Sequence, residues 1–146
     1  MIFRQTRVGQ NGETFDLFKF KTIDEEGRVA RPFLRHTGLD ELPQIVNIVR
    51  GDMALFGPRP EVPDLDSVYF EQIPEWRARH DVKPGLLCLA QVYGVVRGPD
   101  RFTIEAKKKQ AELDARWISA RRLGKIVLGL YILALLPFAV VRGQRA

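Results

Sequence analysis

Two neighbouring carboxylates and one framed arginine are the residues here whose types and spacing could do chemistry. Asp40 and Glu41 open an apolar-periodic stretch that runs from Leu39 to Arg50. Adjacent side chains on a helix point about 100° apart and do not face each other. The pair is therefore unsuited to sharing one proton, and two separate jobs fit better: a nucleophile, and a base or metal ligand. The plainer explanation is a helix start, where acidic residues complement the helix dipole. The second feature is Gly57-Pro58-Arg59-Pro60. Two prolines stiffen the backbone around the arginine, which lowers the entropy lost in presenting its guanidinium. Such an arginine suits a phosphate gripped by two parallel hydrogen bonds; the alternative is a stiff loop that happens to expose an arginine. Further cations are Arg4, Arg7, Lys19, Lys21, Arg35, Arg50, Arg79 and Lys83, each on its own more often a solvated charge than a ligand. His80 has two readings, an acid or base and a structural residue. No Walker-type loop, dinucleotide fingerprint, zinc-type spacing or nucleophile elbow occurs.

These residues need elements to hold them. Ile2 to Val8 and Thr14 to Ile23 read as a hairpin, because Asn11-Gly12 between them is a strong turn signal. Residues 31–36 form a short helix candidate. Over Leu39 to Arg50, the spacing of Leu42, Ile45, Val46 and Val49 predicts a helix with one apolar face, with Pro43 in its first turn and Gly51 after its end. Residues 64–80 read as helical with a break near Pro74, Leu86 to Tyr93 as a short strand or loop, and Arg101 to Ala120 as a polar helix.

Charge separates the tail from the rest. Of 146 residues, 45% are hydrophobic and 28% charged, the profile of a chain that folds as one domain over 1–146. The net charge is +5, yet residues 1–106 carry 14 basic and 16 acidic side chains. The excess lies in residues 107–146, with nine basic and two acidic side chains around the uncharged segment 126–141. Arg121, Arg122 and Lys125 precede that segment and Arg142 and Arg145 follow it. Sixteen helical residues span about 24 Å, short for a bilayer core of about 30 Å, and Pro137 is expected to break or kink the helix. A helix lying in the headgroup region is the expectation, with a buried core helix as the alternative. A single cysteine, Cys88, excludes paired-cysteine zinc sites and favours a reducing compartment. The near-neutral first 106 residues argue against nucleic acid as a partner.

Five ordered blocks carry a resemblance. They are FRQTRVG at 3–9, FDLFKFKT at 15–22, LDELPQ at 39–44 with Asn47 and GDM at 51–53, GPRP at 57–60, and RHDVKPG at 79–85 followed by AQV at 90–92. In order and spacing they resemble the bacterial sugar transferase family, the monotopic polyprenyl-phosphate phosphoglycosyl transferases. The resemblance is strong over residues 3–94 and weaker into the tail. It implies transfer of a phosphosugar from a UDP-sugar to a polyprenyl phosphate such as undecaprenyl phosphate, with release of UMP. This is the first step in building an exopolysaccharide, capsule, O-antigen or glycan. It further implies that Asp40 is the nucleophile, forming an aspartyl-phosphosugar, that Glu41 helps activate the polyprenyl phosphate, and that Mg²⁺ assists near Asp40. Arg59 leads the candidate phosphate ligands, with Lys21, Arg35 and Arg79 behind it. The implied location is the cytoplasmic face of the bacterial inner membrane, with a homodimer as a candidate assembly.

Three departures stand out. Only Met1 and Ile2 precede the first block, where the family has a hydrophobic re-entrant helix, so a fragment, a mis-started reading frame or a truncated member is expected. Leu87-Cys88-Leu89 replaces a small polar and glycine turn, and the residues after Gly94 lack the usual arginine. The competing expectation is a truncated, non-catalytic member that binds a membrane or a pathway partner. The expected fold is α+β: an N-terminal β-hairpin, a helical catalytic region and an apolar C-terminal helix at the membrane interface.

Overall fold

The computed structural model describes residues 1–96 and 99–142. Strand β1 (Ile2–Val8) pairs antiparallel with β2 (Thr14–Phe20), in register from Ile2 opposite Phe20 to Val8 opposite Thr14. The hairpin forms as expected, but its loop is longer than a two-residue turn. Gly9 N–H donates to the Glu13 carbonyl at 2.7 Å, and Asn11 and Gly12 inside the loop both take positive φ. Partners across the ladder point to the same side. One face therefore carries Phe3, Gln5 and Arg7 from β1 with Phe15, Leu17 and Lys19 from β2.

The helix expected over Leu39 to Arg50 is two pieces. After α1 (Pro32–Thr37) the chain reverses at Gly38 (φ 77°), enters a 3₁₀ turn over Leu39–Glu41, and restarts as α2 (Gln44–Arg50). Pro43 has no N–H to donate back along the helix, so the ladder begins again after it. The expected apolar face also points the other way. Gln44 and Asn47 are buried, whereas Leu42, Ile45, Val46 and Val49 are exposed, Val49 by 82%. Asn47 explains the inversion: its Nδ2 donates to the Asp16 carbonyl at 2.7 Å and its Oδ1 accepts from Phe18 N–H at 3.2 Å. Polar clamping to β2, not apolar burial, docks this helix.

Beyond α2, strand β3 (Ala54–Phe56) pairs in parallel with β4 (Gly85–Leu87). Between them lie α3 (Pro63–Gln72) and a 3₁₀ segment, Pro74–Asp81, with the expected break at the proline. The strand-or-loop expectation for 86–93 holds only to Leu87; Leu89–Val92 is a short helix, α4. Helix α5 (Ile104–Ser119) starts under a Thr103 cap and lies between two clusters. Its Ala111 packs with Tyr69, Ile73 and Trp76, and its Leu113 with Cys88, Leu89, Ala90 and Ile132. The altered Leu87-Cys88-Leu89 stretch is thus part of the core. Helix α6 (Arg122–Arg142) follows and continues through Pro137, so the expected break does not occur there. It buries Ile132 and lays Leu128 against the core, and leaves Leu123, Ile126, Val127, Leu130, Leu133 and Phe138 exposed. No helix among the described residues is long and apolar enough to cross a membrane. Arg97 and Arg145 lie outside the described residues.

Candidate active site

The Gly57-Pro58-Arg59-Pro60 turn owes its shape to a backbone-to-backbone contact. Gly85 N–H donates to the Pro58 carbonyl at 2.8 Å and Gly57 N–H to the Leu87 carbonyl at 3.1 Å. A Cβ on Gly85 would sit 2.1 Å from the Gly57 nitrogen, and one on Gly57 would sit 2.7 Å from the Lys83 carbonyl. Both positions must therefore be glycine, which ties the GPRP block to the KPG block. The result is a rigid platform for Arg59.

Arg59 grips Glu41 with both arms. Nη2 donates to Oε1 at 2.5 Å and Nη1 to Oε2 at 3.4 Å. Lys19, on the inner face of β2, adds a third bond at 3.3 Å. Burial raises the Glu41 carboxyl, but Arg59 and Lys19 outweigh it and hold its pKa at about 2. Glu41 in turn raises the pKa of Arg59. Lys19 is lowered, first by burial and then by Arg59.

Asp40 is different. Its neighbour on the 3₁₀ turn takes the cations, and no hydrogen bond from another side chain to Asp40 is seen among the described residues. Burial, and next the Glu41 charge, raise its pKa; Lys19 and Arg59 partly oppose them. The two carboxylates differ in their partners, one engaged by cations and one not.

Both line an open cavity of about 850 Å³. Seven Lys and Arg side chains meet four carboxylates on its walls, so it is cationic overall. Lys21 and Arg35 are among them, as are Arg59 and Lys19. A second charged group lines the same cavity: Glu61 accepts from Lys107 at 2.7 Å and from Arg7 at 3.3 Å. Burial raises the Glu61 carboxyl, yet Lys107, the Val62 N–H and Arg7 lower it below its ordinary value.

Arg79 stands apart from the other expected phosphate ligands. It is buried behind the site, with Nε 2.9 Å from Asp114 Oδ2. His80 is likewise structural in its setting, 2.9 Å from Asp66 and stacked on Phe70. Reading the sequence one charge at a time left Arg7 and Lys19 as solvated cations and did not single out Glu61 or Lys107 for the site. The period-two spacing of Gln5 and Arg7, with Lys19 opposite Phe3, would have placed the first two on one face. Nothing local links Glu61 with Lys107, 46 residues away.

The sequence pattern of the bacterial sugar transferase family matches residues 1–143. A UDP-glucose:undecaprenyl-phosphate glucose-1-phosphate transferase of Caulobacter vibrioides is 39% identical over 145 residues, covering 87% of this chain and 54% of the relative. The Escherichia coli protein of the same description is 36% identical over 133 residues, covering 81% and 28%. A UDP-N-acetylgalactosamine-undecaprenyl-phosphate N-acetylgalactosaminephosphotransferase of Aeromonas hydrophila is 36% identical over 107 residues, covering 63% and 25%. The chain thus spans about half the length of the first relative and about a quarter of the other two. With a match over nearly its whole length, the chain belongs to the bacterial sugar transferase family.

Proposed function

We propose that this chain carries the chemistry of a phosphoglycosyl transferase, moving a phosphosugar from a UDP-sugar to a polyprenyl phosphate. The observation that carries the reading is the unengaged Asp40 carboxylate on the wall of a cationic cavity, beside a carboxylate that holds Arg59 and Lys19 in place. An Asp40 oxygen attacks the β-phosphorus of the UDP-sugar. The bond from that phosphorus to the bridging oxygen breaks, and UMP leaves with the electron pair. A phosphate oxygen of the polyprenyl phosphate then attacks the same phosphorus. The acyl-phosphate bond breaks, Asp40 is freed as a carboxylate, and a polyprenyl diphosphate sugar results.

Burial and Glu41 make the Asp40 carboxylate more basic than an ordinary aspartate, which favours attack once it is ionised. An anionic nucleophile meeting an anionic diphosphate needs cations between them. Arg59, Lys19, Lys21 and Arg35 supply them. Glu41, with a pKa of about 2, takes no proton at neutral pH. Its work is therefore to hold Arg59 and Lys19 ready. It becomes free to assist the polyprenyl phosphate when substrate phosphate draws Arg59 away.

Among the described residues no group of three or more ligating side chains could cage a metal ion. Asp40 fits the other mode, in which one carboxylate holds Mg²⁺ and substrate phosphate and water complete the shell. Bound there, the ion would neutralise phosphate charge. The exposed apolar side of α6, with Arg121, Arg122 and Lys125 at its start, suits an anionic membrane surface, here the cytoplasmic face of the inner membrane.

The test is UMP formation by the purified chain with Mg²⁺, undecaprenyl phosphate in detergent, and UDP-glucose or UDP-N-acetylgalactosamine. The expected result is UMP release that falls about 10³-fold or more in Asp40→Asn. UMP release that is the same in Asp40→Asn would contradict it, as would none from any UDP-sugar.

A further inference from the structure

The buried guanidinium of Arg79 does three things at once. Its Nε lies 2.9 Å from Asp114, its Nη2 donates to the backbone carbonyl of Arg59, and its Cζ lies 3.8 Å from the centre of the Trp76 ring. Trp76 is itself fixed, fully buried with Nε1 donating to Asp66 at 2.8 Å. Asp114 stands on α5, next to the core residue Leu113. The receiving end is equally constrained. Arg59 precedes Pro60, which restricts its ψ, and the Pro58 carbonyl is taken by Gly85. The bond from Arg79 fixes the carbonyl orientation that remains.

A buried ion pair is a weak source of stability, since apolar residues of the same volume often do as well. What an apolar side chain cannot do is donate to the Arg59 carbonyl. We propose that Arg79 and Asp114 are positioning residues: Asp114 orients Arg79, and Arg79, through the Arg59 carbonyl, sets the angle at which Arg59 meets Glu41. On the phosphoglycosyl transferase reading, the same angle presents Arg59 to the substrate diphosphate. A cavity cation is thus aimed from the back, from a helix that reaches the pair through the core.

The test uses the full chain with ¹⁵N-labelled arginine in detergent micelles. Held by two bonds to Glu41, the Arg59 guanidinium gives slowly exchanging Nη signals. Arg79→Lys keeps a cation opposite Asp114 and loses the donor to Arg59; Asp114→Asn acts from the other partner. Both variants are expected to collapse the Arg59 Nη signals while still melting cooperatively. His80→Gln disturbs the neighbouring contact to Asp66 in the same 3₁₀ segment and is expected to leave those signals unchanged. In turnover, Arg79→Lys is expected to lower kcat about 10- to 100-fold, with a much smaller change in KM. In an Arg59→Lys background the same change is expected to matter by less than about twofold, because the two act as one unit. Unchanged Arg59 signals in both folded variants, or effects that simply multiply with Arg59→Lys, overturn the proposal. If the signals collapse as expected but the wild-type chain makes no UMP, the transferase reading fails and the positioning claim stands.

Discussion

Two arginine–carboxylate pairs lie a short way apart in this molecule, and they behave in opposite ways. Arg59–Glu41 faces the cavity, with side chains 27% and 17% exposed. Arg79–Asp114 is inside, at 4% and 2%. Burial raises both carboxyls. At Glu41 the bidentate arginine and Lys19 win, and the pKa is about 2. At Asp114 burial wins over Arg79, and the pKa is pushed up to about 6. The difference comes from the number of cations and the access of water. A pair with one wet edge can exchange its carboxylate for a phosphate; a dry pair has nowhere to go and can only hold a shape.

That contrast can be broken by truncating each arginine. Arg79→Ala leaves Asp114 buried without its partner, and should destabilise the fold by about 3–5 kcal/mol, a fall of about 10 °C in melting temperature. Arg59→Ala should cost less, about 2 kcal/mol, because Lys19 still pairs with Glu41 and the carboxylate keeps a wet edge, but lower UMP release about 10²- to 10³-fold. If Arg59→Ala proves the more destabilising, the two pairs do not differ as described.

Acid titration sharpens the comparison. The Glu41 pKa is lowered on folding, so its stabilising contribution is present above its ordinary value of 4.5 and is lost as pH falls towards about 2. Asp114 has the opposite sign: its contribution is present below 3.8 and is lost as pH rises through about 6. Unfolding free energies from urea titration of wild type and Glu41→Gln should therefore differ most above pH 4.5, by about 2–3 kcal/mol. The gap should close as the pH approaches 2. A constant gap would show that Arg59 and Lys19 do not depress Glu41.

The smallest effect is a control on α5, which carries Lys107 and Asp114. Thr103 caps this helix by accepting from the Ala106 N–H at 3.3 Å. Thr103→Ala should lower stability by about 1 kcal/mol without selectively lowering turnover, as read by thermal melting beside UMP release.

Elements with strong local signals were legible in the sequence. Asn11-Gly12 marked the hairpin, Pro74 the break after α3, and the run from Arg101 to Ala120 the polar helix. Periodicity also marked a helix at 39–50, but it could not say which side is buried. Asn47 decides that through hydrogen bonds to β2, and those partners lie about thirty residues away. The Asp40-Glu41 pair and Arg59 were visible as residues, and the angle between neighbours on a helix already suggested different settings for the two carboxylates. Their surroundings were not visible. Lys19, Glu61 and Lys107 acquire meaning only when strand, loop and α5 meet, and no short-range pattern encodes that meeting. Arg79 shows the converse: one cation among many in sequence, it turns inward because Asp114 and Trp76 receive it.

The central claim is that Asp40 is the nucleophile, and intact-mass spectrometry tests it most directly. The chain is mixed with Mg²⁺ and UDP-glucose or UDP-N-acetylgalactosamine, without polyprenyl phosphate, and quenched. The account predicts one added phosphosugar on wild type, located to Asp40 by fragmentation, lost on adding undecaprenyl phosphate, and absent from Asp40→Asn. A wild-type chain that turns over its UDP-sugar without carrying the adduct, or an adduct that persists in Asp40→Asn, would contradict it.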